Sequence, residues 1–256
     1  LDHLGNLHAV VGWTTYLDWD SQTVDVVYLT NASGTWETKP LVHVDTKNWP
    51  ELGNFELEYL EMGESKIAVG EDNRVTVAFG WDKYNWDGWS DQNELYLIEN
   101  VQSVSETTPA VLELVRQGDI LAWFENVNLA ADQGVTRISF TQGKKAYYQE
   151  RSQSSGGWVE FPLEKNGNRI SVYSLEMATD ASGGSHLVAQ DWDLQKFFYA
   201  KKALGTAELF SSWSEIGKTK DLDEVKLAVD SNGMPRMAAI TYRGGLYTLD
   251  ATVNSE

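Results

Sequence analysis

The stretch Val225-Lys-Leu-Ala-Val-Asp230-Ser-Asn-Gly233-Met-Pro-Arg236-Met-Ala-Ala-Ile240 reads as an apolar run, an Asp/Gly turn and a second apolar run. Two such runs around a tight polar turn predict a β-hairpin. The unit recurs upstream as Leu175-Glu-Met-Ala-Thr-Asp180-Ala-Ser-Gly183-Gly-Ser-His186-Leu-Val-Ala, and as Asp2-His-Leu-Gly5-Asn-Leu-His8-Ala-Val-Val. A weaker copy is Ile67-Ala-Val-Gly-Glu-Asp-Asn73-Arg-Val-Thr-Val-Ala, and a shortened one is Leu129-Ala-Ala-Asp132-Gln-Gly134-Val-Thr-Arg137-Ile-Ser. The turn residues fall at 5, 73, 134, 183 and 233, with spacings of 68, 61, 49 and 50.

A second half follows each hairpin: a strand carrying Tyr, a polar turn, then Trp. It is clearest as Val27-Tyr28-Leu-Thr-Asn31-Ala-Ser-Gly34-Thr-Trp36, again as Tyr147-Tyr148 to Trp158, and loosely as Phe198-Tyr199 to Trp213. Leu95-Tyr96 and Leu246-Tyr247 supply the Tyr alone. Each unit therefore holds three or four short strands and no sustained helical period. A four-stranded unit repeated about every 40–50 residues predicts an all-β fold, a β-propeller whose blades stack so that each buries its neighbour's face.

Trp-Asp dipeptides at 81–82, 86–87 and 192–193 lack a Gly-His partner, and the double glycines hold no fixed place in the repeat. Two familiar propeller classes therefore fit poorly. The stretch Thr30-Asn31-Ala-Ser-Gly34-Thr-Trp36 resembles the sialidase Asp-box, with the Asn31–Gly34 spacing one residue longer. The closer resemblance is to secreted bacterial and archaeal β-propeller repeat proteins of the form Asp-x-x-Gly-x-x-His, then Leu-Tyr-Tyr, then Asn-Ala-Ser-Gly-x-Trp. That resemblance implies fold more than activity.

Five four-stranded blades are the simplest count, with six as the alternative. Residues 1–256 read as a single propeller domain, or as a segment of a longer propeller or multidomain surface protein. The first copy lacks its opening strand and the last lacks its Trp-bearing strand. Residues 109–126 read as another strand-turn-strand, either the outer part of the second blade or the seed of an extra one. Leu1 opens the chain without Met or a signal-like segment, which reads as a mature or trimmed form.

Lys and Arg total 20 against 38 Asp and Glu, a net charge of −18. No basic face is expected, which argues against nucleic acid or an anionic membrane as partner. No apolar run reaches the roughly 18 residues of a membrane span, so membrane insertion is not expected. The absence of cysteine rules out disulfides, thiolate metal sites and a Cys nucleophile. The acidic surplus and the resemblance together point to an extracellular or cell-surface setting.

The 11 Trp divide into two groups. Trp36, Trp158 and Trp213 share one repeat position and Trp123 lies in an apolar run, so these read as packing residues. Trp13, Trp19, Trp81, Trp86, Trp89 and Trp192 fall in or beside matching hairpin ends, and Trp49 is unassigned. From turn residue to Tyr the gaps are 23, 23, 14, 16 and 14 residues, so the first two copies carry added sequence there. It reads Trp13-Thr-Thr-Tyr16-Leu-Asp18-Trp19-Asp20, and Trp81-Asp82-Lys-Tyr84-Asn-Trp86-Asp87-Gly-Trp89-Ser-Asp91-Gln-Asn93; the fourth copy has Asp191-Trp192-Asp193.

Flat indoles beside carboxylates suit sugar rings: the indole stacks on the C–H face while Asp binds hydroxyls. The candidate ligand-binding residues are thus Tyr16, Asp18, Trp19, Asp20, Tyr84, Trp86, Asp87, Trp89, Asp91, Asp191 and Trp192. Equally, aromatic surfaces serve protein partners, and these segments could simply fold down onto the sheets. No cofactor is expected; Ca²⁺ on Asp18, Asp20 and Asp25 is the one metal considered, and no calcium-loop pattern supports it. His8 and His186 share a repeat position, which favours a structural role, and His43 lies in an alternating strand. No catalytic residue is assigned, because no hydrolase, zincin or phosphate-loop motif is present. A secreted carbohydrate-binding module is the leading reading. A structural or adhesion segment and a propeller glycosidase or polysaccharide lyase stay open.

Overall fold

The computed structural model describes residues 2–18, 21–48, 59–84, 92–105, 107–118, 123–152, 154, 156–165, 168–191, 193–194, 196–206, 210, 213–218, 222–241 and 246–250. Among these are twenty strands and no α-helix. The chain divides into two compact units, Leu1–Gln133 and Gly134–Glu256.

In the first unit, β1 (His8–Asp18), β2 (Ser21–Thr30) and β3 (Glu37–Asp45) pair in chain order. They are followed by β4 (Tyr59–Val69), β5 (Val75–Tyr84), β6 (Gln92–Ile98) and β7 (Glu113–Gln117), an antiparallel four-stranded meander. β8 (Phe124–Asp132) completes the unit. Residues 109–126 thus supply the outer strand of the second sheet and the start of β8.

In the second unit, β9 (Val135–Gln142), β10 (Lys145–Ser152) and β11 (Trp158–Pro162) pair in order. A short ladder of β12 (Glu164–Lys165) and β13 (Asn168–Arg169) precedes the four-stranded sheet β14 (Val172–Thr179), β15 (Ser185–Asp191), β16 (Lys196–Lys202) and β17 (Ser214–Lys218). The last sheet is β18 (Leu222–Val229), β19 (Pro235–Thr241) and β20 (Leu246–Asp250).

The repeat is visible in the backbone. Gly5, Asn73, Gly134, Gly183 and Gly233 all have positive φ, between 59° and 82°, at the tip of the first hairpin of their copy. Left-handed backbone is what Gly, and secondarily Asn, adopt at least cost.

The Asp three residues before the glycine pins this turn. Asp180 Oδ1 accepts from Ser182 N (3.0 Å) and Gly184 N (2.8 Å). Asp2 Oδ1 accepts from Leu4 N (2.9 Å) and Asn6 N (2.8 Å), and Asp230 Oδ1 from Asn232 N (2.9 Å) and Met234 N (3.0 Å). The other carboxylate oxygen holds the side chain six residues on: His8 (3.2 Å), His186 (3.0 Å) or Arg236 (3.1 Å). Each histidine then meets the repeat tyrosine, His8 Nδ1 to Tyr28 OH at 2.6 Å and His186 Nδ1 to Tyr199 OH at 2.7 Å. The Asp, Gly, His and Tyr of the motif form a clip that fixes a hairpin to its third strand.

The alternating strands pack sheet on sheet. Val24, Val26 and Tyr28 of β2 meet Val75, Val77, Phe79 and Trp81 of β5 in one cluster. Val188, Phe197 and Tyr199 meet Val225, Met237 and Ala239 in another. Gly12 lets the sheets close up, since Met62 Sδ occupies the place a Cβ there would take.

The tryptophans depart from the sequence reading. Trp213 is buried as expected, but Trp36 is 58% exposed and Trp123 is 51% exposed. Trp158 is half-buried, with the Arg151 guanidinium 4.9 Å above its ring. Trp81, expected at a binding face, is only 1% exposed and packs edge-on against Phe79 and Tyr96. Sharing a repeat position sets the direction of a side chain; burial depends on the sheet that faces it.

Candidate functional site

The sequence-named residues do not gather into one described site. Tyr16 is exposed near the end of β1, opposite Gln22. Asp18 and Tyr84 end β1 and β5, and their side chains are outside the described set. Trp19, Asp20, Trp86, Asp87, Trp89, Asp91 and Trp192 lie outside the described residues. Asp191, in the second unit, is buried, and its Oδ1 accepts from Asp193 N (2.9 Å) and Leu194 N (2.8 Å), which shapes the turn after β15.

The sequence reading missed the polar groups beside these hairpin ends. Next to Tyr84, Lys83 Nζ meets Glu94 Oε2 at 2.5 Å with both side chains nearly enclosed, and Tyr96 OH donates to the same oxygen at 2.6 Å. Asn93 is 0% exposed, yet neither its Nδ2 nor its Oδ1 has a partner. At the β1–β2 end, Gln22 Nε2 donates to Leu60 O (2.7 Å) while its buried Oε1 has no partner. Gln190 Oε1, at the β15–β16 end of the second unit, is likewise buried and unpaired. Buried polar atoms are rarely left unpaired, so these mark places where a ligand group or an ordered water completes the bonding. Their signal in the sequence was Gln or Asn at a strand end beside a Trp/Asp run; alternation alone did not say which would be enclosed.

A groove of about 590 Å³ runs beside β3, lined by Lys39, Pro40, Leu41, His43, Val104 and Pro109, a size that suits a small ligand. At its edge His43 Nδ1 lies 2.7 Å from Asp25 Oδ1, with the imidazole well exposed.

The other titratable clusters serve the fold. Burial raises the pKa of Asp180, but hydrogen bonds from Lys201, Ser182, His186 and Gly184 outweigh it and hold the carboxyl well below the usual range. Burial pushes His186 down from 6.5, against its bond to Asp180, and pushes Tyr199 up to about 12. His186 is thereby a neutral, enclosed ring. In the second unit Lys202 Nζ meets Glu150 at 2.9 Å, Arg137 Nη2 donates to Gly183 O at 2.8 Å, and Tyr148 OH bonds both Glu150 and Ser185. Burial drives the Tyr148 pKa far upward, so its hydroxyl stays protonated as a donor. Among the described residues, no group of three or more acidic or His side chains is placed to hold a metal ion.

No protein-family model and no curated protein matches the chain. Solved structures do. The chain is similar to a polysaccharide lyase (TM-score 0.56, 10% identity, 97% of this chain and 56% of that one). It is similar to a Hadza microbial sialidase (0.54, 11%, 93% and 51%) and to the Penicillium chrysogenum α-L-arabinanase complexed with arabinobiose (0.51, 11%, 92% and 75%). The chain spans about half the length of the lyase and the sialidase. At these identities the likeness is one of fold: an all-β chain of repeated antiparallel meanders with propeller-like neighbours.

Proposed function

We propose that this chain is a five-bladed propeller segment, extracellular or at a cell surface, that binds carbohydrate at the ends of its second-to-third-strand hairpins. The observation that carries the reading is the set of buried, unpaired amide atoms of Gln22, Asn93 and Gln190 beside the Trp/Asp-rich stretches. Hydroxyl-rich ligands satisfy such atoms while indoles cover the sugar's C–H face. Similarity of fold to a sialidase, a polysaccharide lyase and an arabinanase complexed with arabinobiose supports the same chemistry. The acidic surplus supports the setting, and Ca²⁺ on the hairpin carboxylates stays part of the proposal as an accessory.

A glycan array and pull-down on insoluble polysaccharides, with Trp19→Ala, Trp86→Ala and Trp89→Ala beside the wild type, test it. Retention should drop in the variants; binding untouched by all three would sink the hairpin assignment. The lyase and sialidase likenesses favour one second reading, that the chain also cleaves its ligand. Release of reducing ends or unsaturated products from the bound polymer would establish it, and binding without turnover would exclude it for that polymer.

A further inference from the structure

β1 ends its sheet, yet it is not built like an end strand. In the order β1-β2-β3 it has one neighbour, whereas β5, β9, β15 and β19, which follow the same turn in the later copies, each lie between two strands. Among the described residues nothing pairs with its other edge. Edge strands are usually blunted by charge, proline or a bulge, because a row of unpaired N–H and C=O groups invites a further strand. The outer strands follow that rule. β3 carries Glu37, Lys39 and Pro40, β7 Glu113 and Arg116, β11 Glu160 and Pro162, and β17 Glu215 and Lys218. β1 runs Ala9-Val-Val-Gly-Trp-Thr-Thr-Tyr-Leu17 without a charge or a proline.

Its side chains are correspondingly open. Val11, six residues past its turn glycine, is 44% exposed, while Phe79, Phe140, Ala189 and Ala239, in that place in the other four copies, are each 0% exposed. The strand alongside contributes to that burial: Ala189 lies opposite Leu175, and Ala239 opposite Val225. Two residues nearer the turn, Leu187 lies opposite Met177 and Met237 opposite Leu227. In these copies the first strand therefore sets two apolar side chains, two residues apart, on one face beside its second strand. Ala9 and Val11 hold the matching places in β1.

The turn that would lead such a strand onto β1 is already closed. Asp2 N donates to Asn6 O (3.0 Å) and Gly5 N to Asp2 O (3.1 Å), as Asp180 N does to Gly184 O (2.9 Å) and Gly183 N to Asp180 O (2.8 Å). Thr179, just before Asp180, lies opposite Ser185, and the same register on β1 begins opposite Leu7. On its other side Leu7 is engaged, its N–H donating to Asn31 Oδ1 at 2.7 Å.

We propose that the free edge of β1 is the docking site for one extended strand of a partner polypeptide, antiparallel to β1, with apolar side chains opposite Ala9 and Val11. Main-chain hydrogen bonds supply the affinity, and the two apolar pairs fix the register. A second copy of this chain is the poorer occupant, since each copy brings a net charge of −18 to the contact. The site is independent of the carbohydrate reading above.

Fluorescence anisotropy of a labelled peptide with the sequence of β18, Leu222–Val229, tests this. In register, the side chains of Leu227 and Val225 in that peptide fall opposite Ala9 and Val11. The wild type should bind it, and amides of β1 should gain protection from hydrogen exchange. Methylating the peptide's backbone nitrogens on the pairing edge should weaken binding by about tenfold or more, as should Val11→Glu in the protein. Val111→Glu, at another exposed position, should leave binding unchanged. The methylated peptide keeps the test decisive if Val11→Glu folds poorly. Equal binding of methylated and plain peptide would overturn strand pairing, and equal binding by wild type and Val11→Glu would overturn its place on β1. Absence of binding would overturn the proposal outright. So would sedimentation showing a dimer that Val11→Glu dissociates, since a second copy would then hold the edge. None of these outcomes bears on retention by polysaccharides.

Discussion

Trp13 and Trp81 hold the same place in successive copies, each eight residues after its turn residue at 5 or 73, yet the first is 44% exposed and the second 1%. Trp81 faces Val24, Val26 and Tyr28 of the first sheet. Trp13 stands with Val11 on the corresponding face of that first sheet, where both remain exposed. The side chain and its strand position are identical; the facing sheet makes the difference. In a stacked-sheet protein, burial belongs to the pair of sheets, and a residue acquires it only when its neighbour arrives.

The largest expected effect breaks this comparison if it fails. Trp81→Ala should cost about 3–5 kcal/mol in urea unfolding, the range for emptying a large aromatic from a core, whereas Trp13→Ala should cost under about 1 kcal/mol. Equal losses would show that Trp13 is packed in solution. Next come the clips. Asp180→Ala should cost about 2–3 kcal/mol, because it frees the enclosed His186 and two turn amides together. Asp230→Ala should cost less, since Arg236 and its carboxylate partner face solvent. The same measurement ranks the two.

A pH titration of the melting temperature sharpens the contrast further. His186 has its folded pKa depressed below 6.5, so the unfolded chain binds its proton first and stability should fall as pH drops below about 6.5. Asp180, depressed below 3.8, should add a second loss as pH falls beneath about 4. A His186→Gln variant should lack the first step and keep the second. A last effect concerns the opposite face of the first sheet. Gly12→Ala should cost about 1–2 kcal/mol by displacing Met62, and Met62→Ala should relieve the clash in a double-mutant cycle.

The clip was legible in the sequence because every part of it is local. Asp180, Gly183 and His186 lie within seven residues, and left-handed turns leave a Gly or Asn signature. Strand alternation likewise located the hairpins and the outer strand after residue 109. Tryptophan burial was not legible, since Trp36 and Trp123 sit in apolar or repeated contexts and still face solvent, while Trp81 sits in a Trp/Asp run and does not. The opposition of Asp82 to Glu61 and to Asn93 was also hidden, since they lie 21 and 11 residues apart and only the register of β4, β5 and β6 makes them neighbours.

The aspartate clips also bear on how the chain finds its fold. Each turn closes a loop of fewer than ten residues, an event on the order of 10–100 ns, and carries its own hydrogen-bond acceptor to hold the closed form. Hairpins at Asp2, Asp180 and Asp230 can therefore nucleate independently, before any sheet meets its neighbour. The slow step is left to sheet docking, where distant segments such as β2 and β5 must come together.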